Sequence, residues 1–485
     1  MVQVFFVNCP VAKAAIGPEA TVCSFSSAPD LLNDLFVKRL SNKDDYENTI
    51  SIVVYDDAGQ ELTIEQLREL FSNFMLCLNI AVADSKNWTS TLKEALIQES
   101  KYIPDKLTST CHWMYAEQGS HGPGLTPCSL NVYSMVEQLS RLPKDENKAD
   151  TWYLDYLLKK ITISELISLD NEDSHYWSLL DTWSFSAHTL CTLELIQCAK
   201  LILSRMCAAA AIPCLREDEF YLFLIHLEFS YHQGNKFHNF RHAVDVMQAT
   251  YKLCEMLELD SNIALAICIS AIGHDVGHPG TNNGLLCNFK SPIAKRYNMV
   301  SVLENFHTDL FMGILKQHWP SFITAETLKS IREAIISTDM ALHDRYLEDL
   351  RLSGTQNLED NMPLMISLII KAADISNVSR PLLISAQWAV LIAYELNECM
   401  LLEKKLKSLP IDTEKDIMLP LSSMPDSVEA ILAKFPSIPK GQLYFINAFV
   451  EKLFTGLANK FDKLKFLADN VQSNKNFWLK QLGDD

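Results

Sequence analysis

The second part of the sequence, from Ser174 onward, is a succession of long apolar segments in which hydrophobic residues recur at helical spacing. The clearest segments are Leu193–Met206, Phe220–Phe229, His242–Leu257, Ile263–Ile272, Leu364–Ala373 and Gln442–Phe466. No strand pattern of comparable strength interrupts them, and apolar positions that repeat every three or four residues are typical of α-helices. The pattern therefore predicts one all-α domain over residues 174–485.

The first part of the sequence has a different pattern, because short β-branched runs replace the helical spacing. Val2–Val7 and Ile50–Tyr55 each predict a buried strand. Thr63 can cap a helix whose apolar residues then fall at helical spacing. We predict a small α/β domain over residues 1–145, whose role the sequence leaves open, and a linker with connecting helices over residues 146–173.

The composition restricts the partners of the chain. It carries 60 acidic and 42 basic residues, for a formal charge of -18 and a pI near 5.2. Such a charge disfavours binding to nucleic acid or to an anionic membrane. No apolar run is long enough to span a membrane, and thirteen cysteines without a C-x-x-C pair are typical of reduced thiols. We therefore expect a soluble cytoplasmic protein without a nucleic-acid or membrane partner, and a homo-oligomer is compatible with this expectation.

Histidines are concentrated in one stretch of the helical part. Seven of the 13 histidines lie between His226 and His307. His238 and His242 are four residues apart, so both imidazoles can lie on one face of a helix or of its first turn. Histidine pairs with this spacing also occur by chance, so this pair alone does not establish a metal site.

Acidic residues stand at the ends of two strongly apolar segments. His274 and Asp275 follow the run that ends at Gly273, and Asp374 ends a second run. Burying such groups is costly unless they are paired or bind a metal. For Asp374 alone, a buried carboxylate that caps a neighbouring element is the plainer interpretation. Together with His242, these residues form a set of two His and two Asp that suits a divalent metal and leaves coordination positions for water.

An open metal site of this kind is suited to phosphoryl chemistry. Two divalent cations can bind a phosphoryl oxygen, lower the pKa of a bridging water to form hydroxide, and stabilise the charge that develops during attack. They would also attract an anionic substrate to an acidic protein. His238 is not needed as a ligand, and we therefore expect it to donate the proton to the leaving oxygen.

Five motifs in this part of the chain occur together: H-N-x-x-H, H-D-x-x-H-P-G, S-x-L-E-N-x-H, T-D-M and A-D-I-S-N. Their combination resembles the class I 3',5'-cyclic nucleotide phosphodiesterases, within the wider group of His-Asp metallophosphohydrolases. The resemblance covers about residues 174–485, and over the whole chain it is greatest to the fungal high-affinity cyclic AMP phosphodiesterases. It implies a compact bundle of about sixteen helices. It also implies an enzyme that hydrolyses cyclic AMP to 5'-AMP and so damps signalling through protein kinase A.

The resemblance further implies roles for particular residues. The first metal, zinc, is expected between His242, His274, Asp275 and Asp374, and the second metal, magnesium or manganese, is expected to share Asp275. The residues expected to orient water or phosphate are His278, Glu304, Thr338 and Asp339. The residues expected to contact the nucleotide are Asn283, Met340, Asn377, Ile392, Gln442 and Phe445.

Several of these assignments have alternatives in the sequence itself. Ser301 and Glu304 also fit a capping box at the start of a helix, in which Glu304 would have no functional role. Ile392 and Phe445 occupy positions for which helical spacing predicts core packing equally well. The amide of Gln442 can present a donor or an acceptor, so it does not by itself choose between cyclic AMP and cyclic GMP.

Two other functions remain open at this level. One is a His-Asp phosphohydrolase that acts on another nucleotide, and Gln442 argues against it. The other is a cyclic-nucleotide-binding regulator without catalysis, and the complete ligand set together with His238 argues against that.

Phe237 departs from the family, in which many members have tyrosine at this position. We expect only a modest effect, because neither a ligand nor the proton donor changes.

Overall fold

The N-terminal and C-terminal parts of the chain differ in architecture. A computed structural model describes residues 2–11, 16, 20–41, 50–75, 79–93, 151–353, 361–412, 418 and 423–483. The predicted domain limit between residues 145 and 146 lies outside these ranges, so the proposed limits stay predictions.

The described residues of the N-terminal part form a four-stranded parallel sheet and two complete helices, and residues 88–93 are also helical. The strands are β1 (Val2–Val7), β2 (Ala20–Phe25), β3 (Ile50–Tyr55) and β4 (Asn79–Asp84), and the helices are α1 (Ala28–Leu40) and α2 (Ile64–Phe74). The strand order is β2-β1-β3-β4, with Val4 opposite both Val22 and Ile52. Thr63 caps α2 as expected, since its hydroxyl accepts a hydrogen bond from the backbone N–H of Gln66 (3.2 Å). The predicted α/β fold is confirmed. The sequence pattern does not identify β2 or β4, and β2 is only partly buried.

The remainder of the described chain is helical. Two helices come first, α3 (Trp152–Lys160) and α4 (Ile163–Leu166). From Asp173 onward the described residues contain sixteen α-helices: α5 (Asp173–Leu180), α6 (Thr192–Ala210), α7 (Glu217–Phe229), α8 (Phe240–Met256), α9 (Ser261–Gly273), α10 (Asn283–Asn288), α11 (Pro292–Arg296), α12 (Val302–His318), α13 (Ala325–Ser337), α14 (His343–Leu352), α15 (Met362–Asp374), α16 (Leu382–Leu406), α17 (Val428–Lys434), α18 (Ile438–Phe445), α19 (Glu451–Lys460) and α20 (Lys465–Gly483). The predicted all-α architecture is confirmed.

Two of these helices, α9 and α15, are enclosed by the others. Every residue of α9 from Ala264 to Gly273 is buried, and so is every residue of α15 from Leu364 to Ala373. A helix that is apolar on every side is stable only when other elements surround it. The two helices therefore carry the polar residues at their C-terminal ends, His274 and Asp374, into the protein interior.

The helical pattern near the C-terminus differs from the prediction in one place. A continuous helix over Gln442–Phe466 is not present, because a π-helical turn over Ile446–Val450 follows α18 and because α19 ends at Lys460. Phe461 then has extended backbone, and a short 3-10 turn leads into α20. Apolar periodicity does not distinguish these states, since a π-helical turn inserts a single residue into an otherwise helical pattern.

The α/β part packs directly on the helical part, and the two share one hydrophobic core. The rings of Phe36 on α1 and Phe74 on α2 contact Phe229 at the end of α7, with centroids 5.2 and 5.9 Å apart. Phe74 also stacks on the ring of His226 at 4.5 Å. The two parts therefore differ in secondary structure, whereas their packing is continuous.

Gly273, the last residue of α9, allows this helix to approach α12 closely. A Cβ atom at this position would lie 2.3 Å from the ring of Phe311. We expect Gly273→Ala to lower the free energy of unfolding by about 1–3 kcal/mol, because the ring must shift within a close-packed core. Urea unfolding measures the loss. Gly441→Ala is the control, since a Cβ there meets nothing within 4 Å, and equal losses in the two variants would contradict the explanation.

Candidate active site

Asn239 determines the geometry of the H-N-x-x-H motif. Its backbone is extended, and its side chain accepts a hydrogen bond from the backbone N–H of His242 (3.2 Å). Asparagine is among the preferred residues at this capping position. His238 therefore precedes α8 and His242 lies in its first turn, with their ring centroids 5.8 Å apart. The two imidazoles lie close together although only His242 is helical.

The end of α9 orients His274 toward two carboxylates. Its Nδ1–H donates to the carbonyl of Ala271 (2.8 Å). The other ring nitrogen, Nε2, lies 3.2 Å from Asp275 Oδ2 and 3.4 Å from Asp374 Oδ1. A histidine whose second nitrogen is held by a backbone carbonyl in this way is typical of metal sites.

Donor atoms of His242, His274 and Asp374, at the ends of α8, α9 and α15, lie within 4.8 Å of one another, and Asp275 adjoins them. In addition to the His274 contacts, His242 Nε2 lies 3.2 Å from Asp374 Oδ1 and 3.8 Å from Asp275 Oδ2. Metal-ligand bonds of about 2.0–2.1 Å in a tetrahedral arrangement place the donor atoms about 3.4 Å apart. His274 Nε2 is buried and has no hydrogen-bond partner among the described residues. The separations and this unpaired nitrogen fit a divalent cation between His242, His274 and Asp374, with Asp275 Oδ2 beside it.

The charges at this point favour a cation. Burial opposes ionisation of Asp374, but the neighbouring rings of His242 and His274 hold its pKa below the usual value. Burial likewise opposes ionisation of Asp275, and the neighbouring His274 ring holds its pKa well below the usual value. Both carboxylates are therefore anionic, as metal binding requires.

Glu395 holds His238 beside this group. One carboxylate oxygen accepts a hydrogen bond from Nδ1–H of His238, and the other accepts from the backbone N–H groups of Phe237 (2.9 Å) and His238 (3.1 Å). The side chain of Glu395 is 3% exposed and that of His238 is 26% exposed. Although desolvation disfavours the imidazolium, the charge of Glu395 raises the pKa of His238 to about 9. His238 thus carries a proton at neutral pH, which suits a proton donor.

The sequence interpretation does not include Glu395, although a signal for it exists. Glu395 lies on α16, where it follows four residues of the run Leu391-Ile392-Ala393-Tyr394. An acid inside an apolar helical run is the same pattern that identifies Asp374. Without knowledge of the neighbouring helix, however, the pattern does not reveal that the partner of Glu395 is His238.

Two more histidines lie against the site. The ring of His278 stacks on His238 with centroids 4.1 Å apart, and its Nδ1 accepts a hydrogen bond from the backbone N–H of Gly280 (3.1 Å). His307, for which the sequence indicates no role, donates from Nδ1–H to the carbonyl of Val276 (2.8 Å). Its Nε2 lies 3.7 Å from Asp275 Oδ1. His307 is therefore part of the surroundings of Asp275.

The alternative interpretation of Glu304 as a member of a capping box is wrong. Ser301 has a left-handed backbone with φ 41° and no capping hydrogen bond, and its hydroxyl donates to Asp339 Oδ2 (2.7 Å). Glu304 instead accepts a hydrogen bond from Nδ2 of Asn283 (2.9 Å). Burial and the nearby charge of Asp339 raise the pKa of Glu304 to about 7. Glu304, Asp339 and Asn283 therefore form one polar group.

Lys371 supports the turn that carries Thr338 and Asp339, and the sequence interpretation does not include it. Its ammonium group is buried and donates to the carbonyls of Ser337 (3.0 Å) and Asp339 (3.2 Å). Burial lowers the pKa of Lys371 to about 8. Because Lys371 lies one turn before Asp374 on α15, it ties this turn to a helix that ends at the metal-ligand group.

The residues predicted to contact the nucleotide come from several elements. Gln442 and Phe445 lie on α18, and Ile392 lies on α16, which packs against α18. Asn377 lies in a 3-10 turn after α15, and Met340 lies in a 3-10 turn after α13. The side-chain oxygens of Gln442 and Asn377 are buried and have no hydrogen-bond partner in the described part of the chain. Buried acceptors without a partner are costly, which is consistent with a ligand that supplies donors.

A comparison with known families identifies the class of protein. Residues 237–471 match the family model described as 3'5'-cyclic nucleotide phosphodiesterase. A relative from Saccharomyces cerevisiae, named 3',5'-cyclic-nucleotide phosphodiesterase 2, is 37% identical over 95% of this chain and 94% of its own length. The chain belongs to the 3',5'-cyclic nucleotide phosphodiesterase family, and the prediction of an enzyme of this class is confirmed.

Other relatives and a solved structure extend this result. The crystal structure of yeast caPDE2 in complex with IBMX aligns with a TM-score of 0.85 and 27% identity, over 99% of this chain and 100% of that chain. A Drosophila relative named as high affinity cAMP-specific phosphodiesterase 8 is 32% identical over 52% of this chain and 28% of its own length. A human relative named as high affinity cGMP-specific phosphodiesterase 9A is 34% identical over 42% of this chain and 35% of its own length. Relatives with either base specificity in their names thus align with this chain.

The family depends on metal, and two groups in the described residues could bind one. The first consists of His242, His274 and Asp374, and the second of His238, His278 and Glu395. In the second group both oxygens of Glu395 already accept hydrogen bonds, so the first group is better suited.

Over the ranges that the structure describes, no helix combines the length and apolar character needed to cross a membrane.

Proposed function

We propose that this phosphodiesterase hydrolyses 3',5'-cyclic AMP to 5'-AMP, and that it thereby lowers cyclic AMP and damps signalling through protein kinase A. The observation that carries the proposal is the position of His238, which Glu395 holds beside the proposed metal-ligand group, with its ring centroid 5.8 Å from that of His242. Residues 174–485 would contain all the groups that act on the substrate, residues 146–173 would connect the two parts, and residues 1–145 would form the separate α/β part.

We assign the first metal, zinc, to His242, His274, Asp275 and Asp374, because two imidazoles and two carboxylates suit this ion. The second metal, magnesium or manganese, would share Asp275. The two oxygens of Asp275 have different neighbours, since Oδ2 lies 3.2 Å from His274 Nε2 and Oδ1 lies 3.7 Å from His307 Nε2. This orientation supports a bridging carboxylate. When bound, such a pair of ions supplies water of lowered pKa and neutralises charge on the phosphoryl group.

His238 would protonate the O3' atom as its bond to phosphorus breaks. Because Nδ1–H is engaged by Glu395, the proton to be transferred would be the one on Nε2. Glu395 would stabilise the imidazolium before transfer and keep the ring in place. The polar group formed by Glu304, Asp339 and Asn283, together with His278 and Thr338, would orient water and phosphate oxygens around the site.

The base would lie between Ile392 and Phe445, with Gln442 and Asn377 at its polar edge and Met340 and Asn283 nearby. The unpaired buried oxygens of Gln442 and Asn377 are acceptors. Adenine carries an amino donor on C6, whereas guanine carries an acceptor oxygen at the same position. With the amide of Gln442 oriented so that its oxygen meets this position of the base, the amino group of adenine would donate to it, and we propose cyclic AMP as the substrate.

A steady-state comparison of the two cyclic nucleotides at low substrate concentration tests this proposal. We expect kcat/KM to be at least about tenfold higher for cyclic AMP, because placing guanine O6 against a buried acceptor costs about 1–3 kcal/mol. We expect Gln442→Ala to lower kcat/KM for cyclic AMP by about tenfold for the same reason.

Gln472→Ala, which removes an exposed glutamine on α20 that donates to Asn476, is the control and should change nothing. Equal values of kcat/KM for the two substrates would contradict the assignment of the base. Absence of hydrolysis of both would contradict the proposed function, and a deoxynucleoside triphosphate assayed in parallel distinguishes another phosphohydrolase from a binding protein.

A further inference from the structure

Arg39, near the end of α1, is buried against the C-terminal end of α7. The side chain of Arg39 is 0% exposed and that of Glu228 is 2% exposed. Nε of Arg39 donates to the carboxylate of Glu228 (3.0 Å), and one terminal nitrogen donates to the carbonyls of Glu228 (3.1 Å) and Tyr231 (2.7 Å). The last carbonyls of a helix have no donor within the helix. The planar guanidinium of Arg39 thus pairs with a buried charge and donates to two buried carbonyls, of which that of Glu228 also accepts from the backbone N–H of Tyr231 (3.1 Å).

The segment that receives Arg39, residues 228–231, also contacts the ligand loop, which we define as residues 272–277. Two hydrogen bonds join them: the carbonyl of Ser230 accepts from the backbone N–H of Gly277 (2.9 Å), and the hydroxyl of Tyr231 donates to the carbonyl of Ile272 (2.9 Å). Ser230 and Tyr231 are both fully buried. The ligand loop contains His274 and Asp275, so these bonds hold the backbone on both sides of the two proposed ligands.

The ligand loop has little space in which to move. Gly277 has a positive φ of 76°, and a Cβ there would lie 2.8 Å from Leu310 and 3.0 Å from Phe306. In a close-packed interior, a shift of one group is passed to its neighbours. A displacement of residues 228–231 would therefore move the ligand loop.

We propose that Arg39 is a positioning residue of the active site, through which the α/β part of the chain holds the ligand loop in its active geometry. The inference rests on the proposed function, because it takes His274 and Asp275 as metal ligands. It gives the α/β part a role in catalysis through a residue outside the group proposed to contact the substrate. The contact runs from α1 through residues 228–231 to the ligand loop, and every link is a buried hydrogen bond.

Arg39→Met tests the proposal in the full-length protein. Methionine keeps most of the volume but leaves Glu228 and two buried carbonyls without the guanidinium. We expect kcat for cyclic AMP to fall about 10- to 100-fold, as for other residues that support metal ligands, with KM changed less than about threefold. We also expect hydrogen exchange of the amides in residues 272–277 to become faster, which hydrogen-exchange mass spectrometry measures without reference to activity.

Lys38→Met is the matched control. Lys38 precedes Arg39 on α1, is partly exposed and pairs with Asp34 on the same helix (3.0 Å). We expect no change in kcat or in the exchange of the ligand loop. If Arg39→Met does not fold, Arg39→Lys replaces it, because lysine keeps the charge but lacks the planar group that reaches all three acceptors. We then expect a smaller fall in kcat and a smaller increase in the exchange of residues 272–277.

A folded variant of Arg39 with unchanged exchange in residues 272–277 would overturn the proposal, whether or not kcat falls. So would faster exchange with kcat within twofold of the wild type. The wild-type protein is assayed in parallel, and its failure to hydrolyse either cyclic nucleotide would refute the proposed function. The exchange of the ligand loop would still show whether Arg39 controls that loop.

Discussion

Asp374→Asn is expected to lower kcat by at least about 10³-fold and to remove metal from the protein, because the site loses one of two charges that bind a cation. Asparagine preserves the size of the side chain and one oxygen, so the fold should be retained. The oxygen that lies 3.2 Å from His242 Nε2 and 3.4 Å from His274 Nε2 belongs to this carboxylate. A neutral amide beside the two rings would also attract a bound cation less strongly than the carboxylate does.

The measurement is kcat at saturating cyclic AMP together with the metal content of the dialysed protein by mass spectrometry. Asp309→Asn is the matched control, because Asp309 lies on α12 and pairs with Arg332 (3.1 Å) at the surface. It should retain full activity and metal. An Asp374→Asn protein that keeps both would contradict the assignment of the four ligands, and so would wild-type protein that remains active after a chelator has removed its metal.

His238→Ala is expected to lower kcat by about 10² to 10⁴-fold, the range typical of a lost general acid. Metal content should not change, because His238 is not one of the four ligands, and KM should change little. Glu395→Gln is expected to cause a smaller loss of about 10- to 100-fold, since the ring stays but the charge that raises the pKa of His238 to about 9 is removed. His175→Ala, at an exposed histidine, should have no effect.

A second substrate with a better leaving group makes this test specific for proton donation. A nitrophenyl phosphodiester has a leaving group that departs without a proton, so His238→Ala should lose much less activity on it than on cyclic AMP. An equal loss on both substrates would contradict the role of His238 as the acid. Loss of metal in this variant would indicate that the second group, with His278 and Glu395, binds an ion.

Most of the proposed metal ligands could be recognised from the sequence because their signals are local. A carboxylate or a His-Asp pair directly after an apolar helical run is carried toward the interior, where a charge requires a partner. This reasoning applies to Asp374, His274 and Asp275 without any knowledge of the neighbouring elements. The helical architecture follows from the same periodicity, since a helix without a polar face has to be enclosed by others.

Other features depend on contacts between residues that are far apart in the chain, and only the tertiary structure decides them. Glu395 faces His238 and Arg39 faces Glu228, in pairs 157 and 189 residues apart. Ser301 fits a capping box by its spacing, yet its hydroxyl bonds to Asp339 in the folded chain. Side-chain periodicity determines which face of a helix is buried. The distant residues that contact this face depend on the packing of the whole core. No local sequence pattern identifies those residues.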